Sequence, residues 1–223
     1  MSGSVSAIIV AAGASSRMGF DKLLAPLDGS PVLLRTLKAF EACDVVDEII
    51  VVAGAEVARA VESWRGGISK LTSVVPGGTE RHLSVCNGLS AVSPHVEIVA
   101  VHDGGRPLIT SGQIAKCVAA AREVDAVGCA RPVTETLKRA DSTGCIIESI
   151  DRTGVWIMET PQVFKRDLLA RAYEKVLRDD LPVTDETSAV QALGAQVHVI
   201  ENTAPNIKIT FPADLALAEK LLA

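Results

Sequence analysis

What most limits the fold of this chain is a repeated pairing of apolar, β-branched runs with stretches of helical periodicity. The runs are Val5–Val10, Glu48–Val52, Leu71–Val75, Glu97–Val101 and Ala126–Ala130. They lack polar alternation, so they read as strands covered on both faces. Between them, Val32–Phe40, Glu56–Trp64, Arg81–Ala91 and Gln113–Arg122 carry helical patterns. Strand–helix alternation predicts right-handed crossovers and a mostly parallel sheet with helices on both faces.

The rhythm breaks after Arg131. Pro132–Arg139 and Cys145–Arg152 are short strand-like runs around Asp141-Ser142-Thr143-Gly144, a hairpin turn signal, with no helix between them. Residues from Pro132 to about Thr160 therefore read as a β-excursion from the main sheet. Regular order is expected to resume with helices near Asp167–Leu177 and Asp185–Leu193 and strands near Val197–Ile200 and Ile207–Thr210. Pro212, at a first helical position, opens a last helix ending at Leu222.

A length of 223 residues suits one domain with a small excursion, and 48% hydrophobic residues suffice for a core. With 3% aromatics that core must be aliphatic. The formal net charge is -5 and no Lys/Arg run stands out, which excludes nucleic acid as the expected partner. An acidic chain that handles phosphates must place its cations locally, beside glycines. The five cysteines are odd in number and form no CxxC pair, so neither zinc nor a disulfide framework is expected, and a reducing cytoplasm fits. The apolar N-terminal run is too short to cross a membrane and lacks a basic leader.

Five segments carry candidate chemistry. Ala11-Ala12-Gly13-Ala14-Ser15-Ser16-Arg17-Met18-Gly19 follows the first strand, where ligands collect in a parallel sheet. Its small residues let backbone N–H groups cradle an anion, and Arg17 and Lys22 supply cations. It matches neither the dinucleotide fingerprint nor the P-loop. His102-Asp103-Gly104-Gly105-Arg106-Pro107 ends the fourth strand, and Asp103 is either a Mg²⁺ ligand or an Asx-turn residue. His102 reads as a structural hydrogen-bonder rather than a base. Pro76 to Ser84 offers two glycines and a helix start, able to receive a base edge or a phosphate, or simply to begin a helix. Thr184-Asp185-Glu186-Thr187-Ser188 reads as a helix start with Thr184 as N-cap. Alternation in Asn206-Ile207-Lys208-Ile209-Thr210 puts Asn206 and Lys208 on one face, where a solvated lysine is the ordinary case.

Taken together, the segments AAGASSRM, GGTERHLSVCNGL, VHDGGRP, PVTETLKR, DRTGVW, TPQVF, TDETSAV and NIKIT resemble the 2-C-methyl-D-erythritol 4-phosphate cytidylyltransferases of non-mevalonate isoprenoid synthesis. The resemblance spans nearly the whole chain. It implies a Rossmann-like α/β sheet with a β-hairpin dimerisation arm, a homodimer that exchanges the arm, CTP as substrate and Mg²⁺ as cofactor. It further implies that Arg17, Lys22 and Lys208 act on the triphosphate and that Ala11, Ala12, Gly13, Gly78 and Ser84 contact cytidine. Asp103 would ligate the metal. Arg106, Thr136, Arg152, Thr160, Thr184 and Asp185 would contact the substrate. The chain departs from the family at Gly19-Phe20-Asp21-Lys22, which brings Lys22 closer to Arg17, and at Pro205, where an acidic residue is frequent. The run KLLAPLDGSPVL also resembles molybdenum-cofactor cytidylyl- and guanylyltransferases. A non-catalytic nucleotide sensor on the same fold is the alternative of another class.

Overall fold

A computed structural model describes residues 3–13 and 21–222. In chain order the described elements begin with β1 (Ser4–Ala11), β2 (Pro26–Leu27), β3 (Ser30–Pro31), α1 (Val32–Glu41), β4 (Glu48–Ala53) and α2 (Ala55–Trp64). β5 (Leu71–Pro76), α3 (Arg81–Ser90), β6 (Val96–Asp103), α4 (Ser111–Val124) and β7 (Ala126–Pro132) follow. Then come β8 (Leu137–Ala140), β9 (Ile146–Ile150), β10 (Trp156–Lys165), α5 (Arg166–Asp179), α6 (Glu186–Ala192), β11 (His198–Glu201) and α7 (Pro212–Leu222).

Seven strands form one sheet in the order β11-β7-β10-β6-β1-β4-β5. β1 pairs in parallel with β4 and β6, β4 with β5, and β7 with β11. The expected α/β architecture is therefore present. Burial explains why the apolar runs lack alternation: Ile49, Ile50, Val51 and Val52 are all fully buried. Successive side chains enter opposite layers. Ile9 packs in the core with Leu33 and Leu37 of α1 and Ile114 of α4. Ile8 packs in the other, with Val85 of α3 and Leu169 of α5.

Three elements differ from the sequence reading. β10 is a ten-residue strand set between β6 and β7 and antiparallel to both, where the sequence suggests the tail of an excursion. Its centre hid it. Pairing with β7 jumps from Met158–Ala130 to Gln162–Gly128, and the intervening Glu159-Thr160-Pro161 includes a residue that cannot donate to a ladder. Second, Ile207–Thr210 is not a strand: its backbone makes one bond to the loop after β6, from Ile209 N to Gly105 O at 2.8 Å. Third, the N-cap of α6 is Asp185 rather than Thr184. Its carboxylate accepts from Ser188 N, and the Ser188 hydroxyl returns to the cap backbone in a capping box.

The hairpin around Asp141–Gly144 is where the sequence placed it, but the excursion ends before β10 at Trp156 rather than near Thr160. β8 and β9 pair only with each other among the described residues, around a turn in which Asp141 Oδ1 accepts from the backbone N–H of Thr143 and Cys145. Gly144 takes φ +87°, a left-handed value that suits glycine. Ile146 and Ile147 are about three-fifths exposed on this arm.

Phe40 links the core to the end of β6. It is fully buried, and its ring centroid lies 5.0 Å from that of His102. Phe40→Ala should destabilise the protein by about 3–5 kcal/mol, the ordinary cost of emptying a buried aromatic site. Chemical denaturation followed by circular dichroism measures it.

Candidate active site

A cavity of about 560 Å³ opens at the carboxyl ends of the parallel strands. That is where ligands bind in open α/β sheets, because loops there can diverge without disturbing the ladder. Ala11, Ala12 and Gly13 from the end of β1, Gly78 and Ser84 from the β5–α3 turn, Lys22, Asp103 and Lys208 all line it. These are the expected triphosphate, cytidine and metal residues apart from Arg17. Arg17 lies outside the described residues.

The small residues are needed because two loops press together. A Cβ on Gly77 would sit 2.2 Å from Cβ of Ala12, and one on Gly78 would sit 2.4 Å from Cβ of Leu83. Ser84 braces this turn from the first turn of α3: its hydroxyl accepts from Gly78 N at 3.0 Å and donates to Glu80 O at 3.1 Å.

Asp103 is the electrostatic centre. Its Oδ1 lies 2.6 Å from Arg81 Nη1, and its Oδ2 lies 2.8 Å from Lys208 Nζ and 3.5 Å from Arg106 Nε. Burial alone would raise its pKa. Arg81 and Lys208 outweigh that and hold the carboxyl far below the usual carboxylate range. Its backbone N–H donates to Thr160 Oγ1 at 3.1 Å. The same hydroxyl bonds His102 Nδ1 at 2.9 Å, and His102 Nε2 faces the Arg106 carbonyl at 3.3 Å. A carbonyl only accepts, so the ring proton sits on Nε2 and Thr160 donates to Nδ1. Burial drives the His102 pKa down to about 3, which leaves the ring neutral and structural, as its sequence context suggests.

Other expected residues lie apart from the cavity. Thr160 is buried, and its hydroxyl is committed to the end of β6. Arg106 gives Nη1 to Asn206 O at 2.7 Å, fastening the segment that carries Lys208. Asn206 in turn donates to Thr160 O and to the buried Glu159. Thr184 and Asp185 line a small neighbouring pocket that shares Arg81. Thr136 and Arg152 are exposed on the arm, and Arg152 donates to the Thr134 carbonyl.

Sequence reasoning missed Arg81, which lines both pockets. A signal was present. Arg81 opens α3, whose first turn has no acidic residue, so a cation occupies the end of a helix that favours anions. Burial lowers its pKa, but Glu186 and Asp103 more than reverse this and keep it charged.

Among the described residues no group of three or more His, Cys, Asp or Glu side chains could hold a metal. One carboxylate ringed by cations does not make a protein-only cage. It does fit magnesium, which is commonly held by one or two carboxylates together with substrate phosphates.

A parallel sheet with one reversed strand and a cavity at its carboxyl edge defines a Rossmann-like α/β protein. Residues 5–223 match the family model described as 2-C-methyl-D-erythritol 4-phosphate cytidylyltransferase, and the chain belongs to that family. The protein of that name from Symbiobacterium thermophilum is 42% identical over 98% of this chain and 92% of its own length. The chloroplastic one from Oryza sativa is 37% identical over 98% of this chain and 74% of its own. The crystal structure of 4-diphosphocytidyl-2C-methyl-D-erythritol synthase from Anaerococcus prevotii superposes with a TM-score of 0.88 at 31% identity, covering 99% of this chain and 96% of that one. The resemblance read from the motifs is borne out, and the molybdenum-cofactor alternative is not favoured.

Proposed function

We propose that this protein transfers CMP from CTP to 2-C-methyl-D-erythritol 4-phosphate and releases pyrophosphate, in isoprenoid precursor synthesis. The observation that carries this reading is the convergence of Lys22, Lys208 and Asp103 on one carboxyl-edge cavity, in a chain that matches the family from residue 5 to 223.

A substrate phosphate oxygen attacks the α-phosphorus of CTP. The new P–O bond forms as the bond to pyrophosphate breaks. The attacking phosphate is already ionised, so no general base is required, consistent with the neutral, buried His102. Catalysis is then positioning and charge neutralisation. Lys22 and Arg17 face charge developing on the transferred group and the leaving pyrophosphate, and Lys208 orients phosphate oxygens. Asp103 would hold Mg²⁺ jointly with the triphosphate, and the ion would supply further charge neutralisation there. The backbone of Ala11, Ala12 and Gly13, with Gly78 and Ser84, would select the pyrimidine. Thr184 stands at the substrate end. Thr160 and Arg106 would act on the substrate through the groups they hold, since Thr160 Oγ1 binds the Asp103 backbone and Arg106 Nη1 binds Asn206 O, while Asp185 lines the same small pocket as Thr184.

Residues 1–223 would form one catalytic domain, with the arm between β7 and β10, built on β8 and β9, exchanged across a homodimer. That exchange would bring Thr136 and Arg152 to the partner's cavity and cover the apolar Ile146 and Ile147. Five free cysteines fit the reducing cytoplasm. Among the described residues no helix is long and apolar enough to cross a membrane.

Pyrophosphate release, followed with CTP or GTP and with methylerythritol phosphate or molybdopterin as acceptor, tests the assignment. Turnover should require methylerythritol phosphate and should favour CTP, because the wrong base leaves buried polar groups unpaired. Turnover with GTP and molybdopterin alone would return the molybdenum-cofactor reading. Nucleotide binding without release under any pairing would make the protein a sensor.

A further inference from the structure

The two oxygens of Asp103 are held in unlike ways. Oδ1 faces Arg81, whose Nη2 reaches Glu186 Oε2 at 2.9 Å. Glu186 is fully buried and accepts the Tyr173 hydroxyl on its other oxygen at 3.1 Å. Tyr173, on α5, is itself buried in the core layer it shares with Val85 of α3. Arg81 therefore cannot swing aside without stranding a buried carboxylate, which is strongly unfavourable. Oδ2 faces Lys208, which is 44% exposed and sits at the end of a flexible stem. Oδ1 is clamped by a cation rooted in the core, whereas the close partner of Oδ2 is Lys208, a cation that can leave; Arg106 Nε stays at a longer 3.5 Å with its Nη1 committed to Asn206 O.

We propose that Arg81, clamped by Glu186 and Tyr173, is a positioning residue that closes the Asp103 carboxylate to free divalent cations and leaves Oδ2 to open only when an arriving metal–triphosphate draws Lys208 away. The inference rests on the reading of Asp103 as the metal carboxylate. A bare divalent ion would enter a site where Arg81, Arg106 and Lys208 already surround that carboxylate, so like-charge repulsion opposes it. A metal–triphosphate complex carries net negative charge. It offers Lys208 a new anionic partner as the lysine gives up Oδ2, while Arg81 keeps Oδ1 and fixes the carboxylate plane. Metal and nucleotide would thus bind together, and Lys208 would be delivered to the phosphates by the same exchange.

The test is Mn²⁺ affinity, read by electron paramagnetic resonance on the full chain without CTP and then with a CTP analogue bearing a methylene α,β-bridge. In Arg81→Met/Glu186→Gln the cation and its buried partner are removed together, so no buried charge is left unpaired. Without nucleotide this variant should bind Mn²⁺ at least about tenfold more tightly than the parent, since one nearby charge shifts such equilibria by about one to three decades. Adding Asp103→Asn should abolish the gain. A merely structural role for Arg81 would weaken Mn²⁺ binding or leave it unchanged, and either result in a folded double variant overturns the proposal. If the double variant does not fold, Arg81→Gln, which keeps a donor for Glu186 without the charge, decides by the same comparison. The two readings fail differently. If Asp103→Asn alone leaves Mn²⁺ binding with the analogue unchanged, the metal assignment falls and the clamp falls with it. If that variant weakens binding while loss of Arg81 gains nothing, the metal assignment stands and the clamp is refuted.

Discussion

Lys22→Ala should lower kcat by roughly 10²–10³, the usual cost of removing a preorganised group that meets charge developing in the transition state. Lys22 lines the cavity on the same side as Gly105 and Leu23, with its Cε 3.7 Å from where a Cβ on Gly105 would lie. A cation there is in reach of a triphosphate laid along the β1 loop. KM for CTP should change far less than kcat if the contact tightens mainly in the transition state. The melting temperature should move much less than kcat, because Lys22 is half-buried on the wall of an open cavity rather than packed in the core. Steady-state kinetics of pyrophosphate release, with a thermal melt beside it, separates these effects. A loss below threefold would hand the role to another cation of the cavity. Equal losses in kcat and stability would mark Lys22 as a structural residue of the loop.

The parts of this fold legible in the sequence are those fixed by local pattern. Val5–Val10 and Glu48–Val52 are apolar apart from Ser6 and Glu48 because both faces are covered, and no helix period fits them. The hairpin around Asp141–Gly144 is legible because its turn is held by its own side chain and a left-handed glycine. β10 was not legible. Its identity as a central strand depends on β6 and β7, which lie far away in sequence, and its pairing is broken at a proline. Ile207–Thr210 failed in the opposite sense: alternation suggested a strand, but only Ile209 finds a backbone partner in the loop after β6. Register with distant partners decides such segments, and pattern alone does not carry that information.

The site divides in the same way. Small residues at Ala12 and Gly77 are local signs of close approach, and they do meet. The role of Asp103 is non-local, because its charge environment comes from Arg81, 22 residues away, and Lys208 near the other end of the chain. Composition made Thr184–Ser188 a helix start, and the capping box at Asp185 bears that out. It could not reveal that the next residue, Glu186, is buried as the counter-ion of Arg81.

Mixing two inactive variants should restore activity if the arm crosses between protomers. Lys22→Ala damages the cavity, and Arg152→Ala damages the arm, where Arg152 is exposed and is not among the residues lining its own chain's cavity. If Arg152 serves the substrate phosphate, as proposed, its planar guanidinium offers a bidentate geometry that a lysine cannot copy. Each variant alone should therefore be nearly inactive. The arm is a two-stranded ribbon paired only with itself among the described residues, a marginal structure in water unless another surface covers it. A twofold dimer is the commonest way to provide that surface. After subunit exchange between the two variants, a heterodimer places both lesions in one site and neither in the other. Random exchange makes half of all dimers heterodimers, so about a quarter of sites become intact and activity should return to about a quarter of the wild-type value. If Arg152 serves its own chain instead, every site keeps one lesion and mixing restores nothing. Native mass spectrometry confirms whether exchange has occurred. Heterodimers present without recovered activity would sink the shared site, whereas recovery that rises with the heterodimer fraction is the outcome that an exchanged arm requires.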